Sequence, residues 1–104
     1  MQKSLKIFIK HIENEEFKEA HECLESVWKE YKKNSNPLAN LLKGYINAAS
    51  VFELVRRGNM KGAKNLWGVY IKYLPLKQKG IEGYELFCEA DKLLENFAKE
   101  RLPL

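Results

Sequence analysis

PLANLLKGYINAASVFELVRRGN (Pro37–Asn59) decides how the rest of the chain must fold. It begins just after Asn36, whose side chain suits an N-cap, and Pro37 has a φ already fitted to the first helical position. It ends on Gly58-Asn59, where glycine suits the left-handed residue after a helix and Asn59 suits the next cap. Laid out at about 100° per residue, the stretch between is apolar on nearly every side. Leu38, Leu42, Tyr45, Ala49 and Phe52 take one side, while Val51 and Leu54 take the other. A helix with no polar face is central in a bundle or pressed against a second chain.

Working outward, EEFKEAHECLESVWKEY (Glu15–Tyr31) reads as an amphipathic helix. Asn14 is its expected cap, Glu15 and Glu16 suit its start, and Lys29, Lys32 and Lys33 suit its end. Phe17, His21, Leu24, Trp28 and Tyr31 share one face, widened by Ala20 and Val27. SLKIFIKHI (Ser4–Ile12) is most simply a short first helix, although the residues around Phe8 also have strand character. After Asn59 a fourth helix offers Ala63, Leu66, Trp67, Tyr70 and Leu74. YLPLKQKGIEG (Tyr73–Gly83) is the longest loop. A last helix over Tyr84–Arg101 offers Phe87, Ala90, Leu94 and Phe97. No segment alternates with period two between hairpin turns, and no 34-residue helical repeat is present. The expectation is an all-α, single-domain bundle of about five helices over residues 1–104, mostly antiparallel because the connections are short.

A chain of 104 residues with 45% apolar composition has room for one core without staples. Its apolar runs fall far short of the roughly 20 residues a membrane span needs, and its N-terminus turns polar too soon for a secretory leader. Cys23 and Cys88 have no CxxC spacing and read as free thiols in a reducing compartment. A cytoplasmic location and no membrane contact are expected. The net charge of +4, from 18 basic and 14 acidic residues, is interleaved and well short of a nucleic-acid-binding arm.

A few polar residues stand out from this background. His21 lies near the middle of an apolar face, with Glu25 one turn on, Glu22 turned toward solvent and Trp28 two turns away. His21 and Glu25 can form a buried hydrogen-bonded pair, since both imidazole nitrogens need partners. They can instead hold a metal at i, i+4 spacing, as two ligands of the H-E-x-x-H motif do. Here the second histidine is missing, and a third ligand would have to come from His11, Glu53 or Asp91. The third reading is a metal-free ligand or acid–base site. Glu53 sits among Ile46, Ala49 and Phe52, where a carboxylate needs a partner such as His21, Arg56 or Arg57. Asn47 also stands on this nearly all-apolar helix and needs a bonding partner. Apart from a metal ion on His21 and Glu25, no cofactor is expected.

Arg56, Arg57, Lys61 and Lys64 surround the Gly58-Asn59 turn, where free helix N–H groups and Asn59 could cradle a phosphate or a nucleic-acid backbone. Glycine-rich phosphate loops, Ser–His nucleophile motifs and aromatic RNA-binding platforms are not found. Cys23 lies off the apolar face with nothing to activate it.

FKEAHECLESVW (Phe17–Trp28), LLKGYINAASVF (Leu41–Phe52) and RRGNMKGAKNLW (Arg56–Trp67) together resemble the prokaryotic domain-of-unknown-function family 309. That pattern has A-H-E-x-x-E-x-x-W, then a G-L-I-Q-like helix, then G-N-x-x-G-A. Ala20, His21, Glu22, Glu25, Trp28, Gly44, Ile46, Gly58, Asn59, Gly62 and Ala63 fit it. Asn47 stands where glutamine is usual, and Leu54 where a histidine is often found before the basic turn. The resemblance implies a small all-α bundle and no established activity. The leading expectation is a non-enzymatic module that self-associates or docks another protein, because its third helix is apolar on two sides. The alternatives are a ligand, metal or hydrolase-like site at His21 and Glu25, and anion binding at the Arg56–Lys64 turn.

Overall fold

Five α-helices carry the chain, in a computed structural model that describes residues 1–103. They are α1 (Gln2–Glu13), α2 (Phe17–Lys33), α3 (Leu38–Arg56), α4 (Met60–Tyr73) and α5 (Tyr84–Arg101). A single 3-10 turn, Leu74–Leu76, follows α4, and the described residues contain no strand. The fold is an all-α bundle.

The first three connections use one device. After α3, the N–H of Gly58 donates to the Val55 carbonyl at 3.0 Å and that of Asn59 to Leu54 at 2.9 Å. This is a Schellman closure with Gly58 in the left-handed region, φ +78°. The same pair of bonds closes α1, from Glu15 to Ile12 and from Glu16 to His11. It also closes α2, from Ser35 to Lys32 and from Asn36 to Tyr31. The residue after the left-handed one is the N-cap of α2 (Glu16) and of α4 (Asn59), while α3 takes its N-cap, Pro37, one residue later. Asn59 Oδ1 accepts from Gly62 N at 2.9 Å, and Asn36 Oδ1 from Leu38 N at 2.9 Å. Asn14 does not cap α2 as its residue type suggests. It is the C-cap of α1, because Glu15 takes the left-handed position (φ +58°) and moves the start of α2 to Phe17.

α3 is the axis of the bundle. Tyr45 and Phe52, two turns apart on α3, each meet aromatic rings from three other helices. Tyr45 stacks on Phe87 of α5 at 4.9 Å and meets Tyr70 of α4 at 5.5 Å and Phe8 of α1 at 6.3 Å edge to face. Phe52 meets Phe17 of α2 at 5.2 Å, Phe97 of α5 at 5.6 Å and Trp67 of α4 at 6.3 Å. The pairings also give the directions. Phe17 to Phe52 and His21 to Ile46 make α2 antiparallel to α3. Phe52 to Trp67 and Tyr45 to Tyr70 do the same for α4. Tyr45 to Phe87 and Phe52 to Phe97 run α5 parallel to α3. Gly44 lets α4 come close: a Cβ there would stand 3.6 Å from the Tyr70 backbone.

Both apolar sides of α3 are therefore covered by the chain itself. Leu41, Leu42, Tyr45, Ala48, Ala49, Val51 and Phe52 are all buried. Leu38 and Leu54, on the same two sides, stay half-buried. Large apolar side chains that remain exposed are Ile7, Ile71 and Leu76, each on a different element. Among the described residues no helix is long and apolar enough to cross a membrane.

Candidate functional site

The antiparallel α2–α3 pair brings the first turn and a half of α2 against the last two turns of α3. There His21 meets a residue that sequence spacing does not connect to it. Ser50 Oγ lies 2.7 Å from His21 Nδ1, and on the other side of the ring Nε2 lies 3.1 Å from Glu25 Oε1. The Ile46 carbonyl oxygen is 3.2 Å from Nδ1. The Glu25 carboxylate and the Ile46 carbonyl both only accept, so the two contacts favour opposite tautomers of the neutral ring. With its proton on Nε2, beside Glu25, the ring leaves Nδ1 to accept the Ser50 hydroxyl proton; with its proton on Nδ1, it donates to the Ile46 carbonyl.

This ring is not sealed: its side chain keeps 34% of its exposure and borders a cleft of about 290 Å³. α2 contributes Phe17, Lys18 and His21 to the cleft, and α3 contributes Ser50, Glu53 and Leu54. Arg57, the C-cap of α3, and Leu66, of α4, complete the wall. Glu53 is satisfied from behind, because Arg56 Nη1 donates to its Oε1 at 3.0 Å. Among the described residues neither Lys18 nor Arg57 is in an ion pair. The lining joins apolar side chains (Phe17, Leu54, Leu66) to the His21–Ser50 pair and to two exposed cations, Lys18 and Arg57, a usual composition for a small-molecule site.

The family model described as "Domain of unknown function (DUF309)" matches residues 5–66. The chain belongs to the DUF309 family. Neither the curated proteins nor the solved structures compared with it contain a match. The DUF309 span runs from α1 into α4 and contains every residue that lines the cleft, from Phe17 to Leu66.

Other residues singled out in this DUF309 chain lie outside the cleft. Glu22 is exposed on α2, and Asn47 is half-buried on α3. Trp28 is half-buried beneath two lysines, with Lys43 Nζ at 4.2 Å and Lys32 Nζ at 5.1 Å from its ring. Cys23 is half-buried and its thiol donates to the Ala20 carbonyl; burial pushes it up to about 11, so it is a poor nucleophile. No third donor joins His21 and Glu25. His11 bonds Glu16 at 3.0 Å, Asp91 lies in a different cluster, and no group of three metal-ligating side chains forms among the described residues.

The basic turn is dispersed rather than gathered. Arg56 turns back from it to Glu53 and to Glu15, donating from Nη2 to the Glu15 carbonyl at 3.1 Å and to its Oε1 at 3.3 Å. Arg101 of α5 reaches the same Oε1 at 2.6 Å. This contact with Arg101 leads the effects that hold the Glu15 carboxyl below its usual range, with Arg56 adding to it. Asn59 spends its side chain on capping α4, and Lys61 and Lys64 stay exposed. Only Arg57 of the set reaches the His21 cleft.

A larger depression of about 550 Å³ lies between Gln2 and the segment 79–86. It is bordered by the glycine-bearing loop and by surface charges of both signs, Lys79, Glu82 and Glu85. Size alone does not make it the site, because it lacks the fixed, convergent polar pair found at His21.

Proposed function

We propose that this DUF309 chain is a small-molecule-binding domain, with the α2–α3–α4 cleft as its site. The observation that carries this reading is the state of His21. Both of its nitrogens are held, by Glu25 and by Ser50, yet the ring faces an open cleft. A histidine serving only as core filler gains nothing from an open side, whereas a ring held in orientation from both nitrogens is prepared to meet a ligand. The ligand is small, since about 290 Å³ lies at the lower end of the range for metabolite sites. It is anionic, because Lys18 and Arg57 at the rim are unpaired among the described residues while the Glu53 carboxylate is already matched by Arg56.

The test is a nuclear magnetic resonance titration of the labelled chain with a panel of small carboxylates and phosphate esters. Ligand binding should move the His21 ring and Leu66 methyl signals together and raise the melting temperature in proportion to ligand excess. Leu66→Trp, which fills the cleft, should abolish both effects while the chain stays folded. A panel that leaves the His21 and Leu66 signals in place would sink the reading.

A further inference from the structure

We infer that Ser50 is a nucleophile activated by His21, and that the cleft hydrolyses small esters carrying a negative charge. The inference rests on the ligand-binding reading of the cleft and goes beyond it to a reaction. Ser50 Oγ, His21 and Glu25 stand in line at 2.7 Å and 3.1 Å, the distances at which a hydroxyl, a base and an orienting carboxylate act together. The order along the ring is reversed relative to the chymotrypsin arrangement, with the hydroxyl on Nδ1 and the acid on Nε2. The roles are unchanged. The reaction uses the tautomer with its proton on Nε2, beside the Glu25 carboxylate, which leaves the Nδ1 lone pair for the Ser50 proton. Ser50 and His21 both border the cleft, so a bound carbonyl carbon can reach Oγ without any helix moving.

The chemistry balances without an added oxidant or cofactor. Oγ attacks the ester carbonyl carbon as its proton passes to Nδ1, and the Ile46 carbonyl lies 3.2 Å away to accept from the protonated ring. The tetrahedral intermediate breaks its bond to the alcohol oxygen, and His21 returns the proton to that leaving oxygen. Water then gives a proton to Nδ1 and attacks the Ser50 acyl ester. The acid departs and Oγ recovers its proton. Arg57 and Lys18 are the cleft cations that meet the charged end of the substrate.

The experiment uses an alkyl fluorophosphonate, which transfers its phosphonyl group to an activated serine with loss of fluoride, followed by mass spectrometry of the intact chain and its peptides. The expected result is one adduct, on Ser50, absent in Ser50→Ala. His21→Ala should slow labelling by about 100- to 10,000-fold, the range a positioned general base supplies. Glu25→Gln should slow it less. Ser50→Cys, read with iodoacetamide, keeps the test available if Ser50→Ala fails to fold: alkylation should be fast with His21 present and slow in His21→Ala. Turnover of 4-nitrophenyl hemisuccinate should exceed that of 4-nitrophenyl acetate, and Arg57→Ala should erase the difference. An unlabelled Ser50 in a chain whose His21 and Leu66 signals still respond to ligand would overturn the nucleophile and leave the binding site standing. Loss of the ligand response as well would overturn both.

Discussion

Tyr45 donates its hydroxyl to Asp91 at 2.7 Å, and both side chains are shut inside the bundle, Asp91 with 6% of its surface exposed. Tyr70 donates to the same oxygen at 2.5 Å, and Lys77 pairs with the other carboxylate oxygen. α3, α4, α5 and the loop after α4 are thus tied to a single carboxylate. Burial works against the Lys77 ammonium, but its hydrogen bond and charge pairing with Asp91 hold it above the usual lysine range. Asp91→Ala strands the buried Tyr70 hydroxyl and the Lys77 ammonium and leaves Tyr45 only the Phe87 carbonyl at 3.5 Å, and it should destabilise by about 3–5 kcal/mol, as breaking a buried ion pair does. Asp91→Asn keeps an acceptor and should cost less, about 1–3 kcal/mol. Urea unfolding of the two variants decides it, and equal losses would show that the charge adds nothing.

The same cluster sets an alkaline limit. Burial, followed by the Asp91 charge and hydrogen bond, pushes the Tyr45 and Tyr70 phenols far above their ordinary range. The folded chain therefore keeps protons that the unfolded chain releases near pH 10. Their contribution to stability is complete below that pH and is lost as the pH rises above it. Absorbance of the phenolate should show Tyr45 and Tyr70 ionising only together with loss of helical circular dichroism. Reversible ionisation of all the tyrosines in the folded chain would contradict this.

Ser35→Gly should stabilise the protein. Ser35 holds φ +54° in the turn after α2, is exposed, and its backbone N–H already closes the helix by bonding Lys32. A non-glycine residue in that region pays roughly 1–2 kcal/mol. Glycine removes this strain but gives back some of it through the greater freedom of the unfolded chain. A net gain of about 0.5–1 kcal/mol in thermal unfolding is expected. Gly58→Ser at the equivalent position after α3 should lose a similar amount.

What could be read from the sequence, and what could not, follows from how locally each feature is encoded. α3 and α5 were legible because Asn36-Pro37, Gly58-Asn59 and Gly83 punctuate them and their apolar periodicity is strong. The His21–Glu25 contact was legible because i, i+4 spacing on one helix brings the two side chains together. The left-handed conformations of Glu15 and Ser35 in the turns were not, because neither residue is the glycine that would announce them. Ser50 was missed for a deeper reason. Its partner lies 29 residues away, and the pairing depends on the register of α2 against α3. A lone serine on an apolar helix gives no local sign of that register. Asp91 offered a weak sign, a carboxylate beside Ala90 and between Phe87 and Leu94 on the buried side of α5. The two tyrosines and the lysine that meet it come from elsewhere in the chain.

His21→Ala separates a binding residue from a structural one by comparison with its neighbour Leu24. Leu24 is fully buried three residues further along α2, and Leu24→Ala should cost about 2–5 kcal/mol through lost burial and the cavity left behind. A histidine that held the core together would approach that cost. The ring at position 21 is one-third exposed, and the groups it leaves behind are themselves open to water: Glu25 is 37% exposed and Ser50 borders the cleft. Water can replace the imidazole at both, so the expected loss is about 1 kcal/mol or less, the net worth of a solvated hydrogen bond. Urea unfolding of the two variants, with ligand titration of His21→Ala, reads both quantities. A small loss of stability with complete loss of ligand response fits a side chain kept for what enters the cleft. A loss as large as that of Leu24→Ala would make His21 a structural residue and remove the ground for the site.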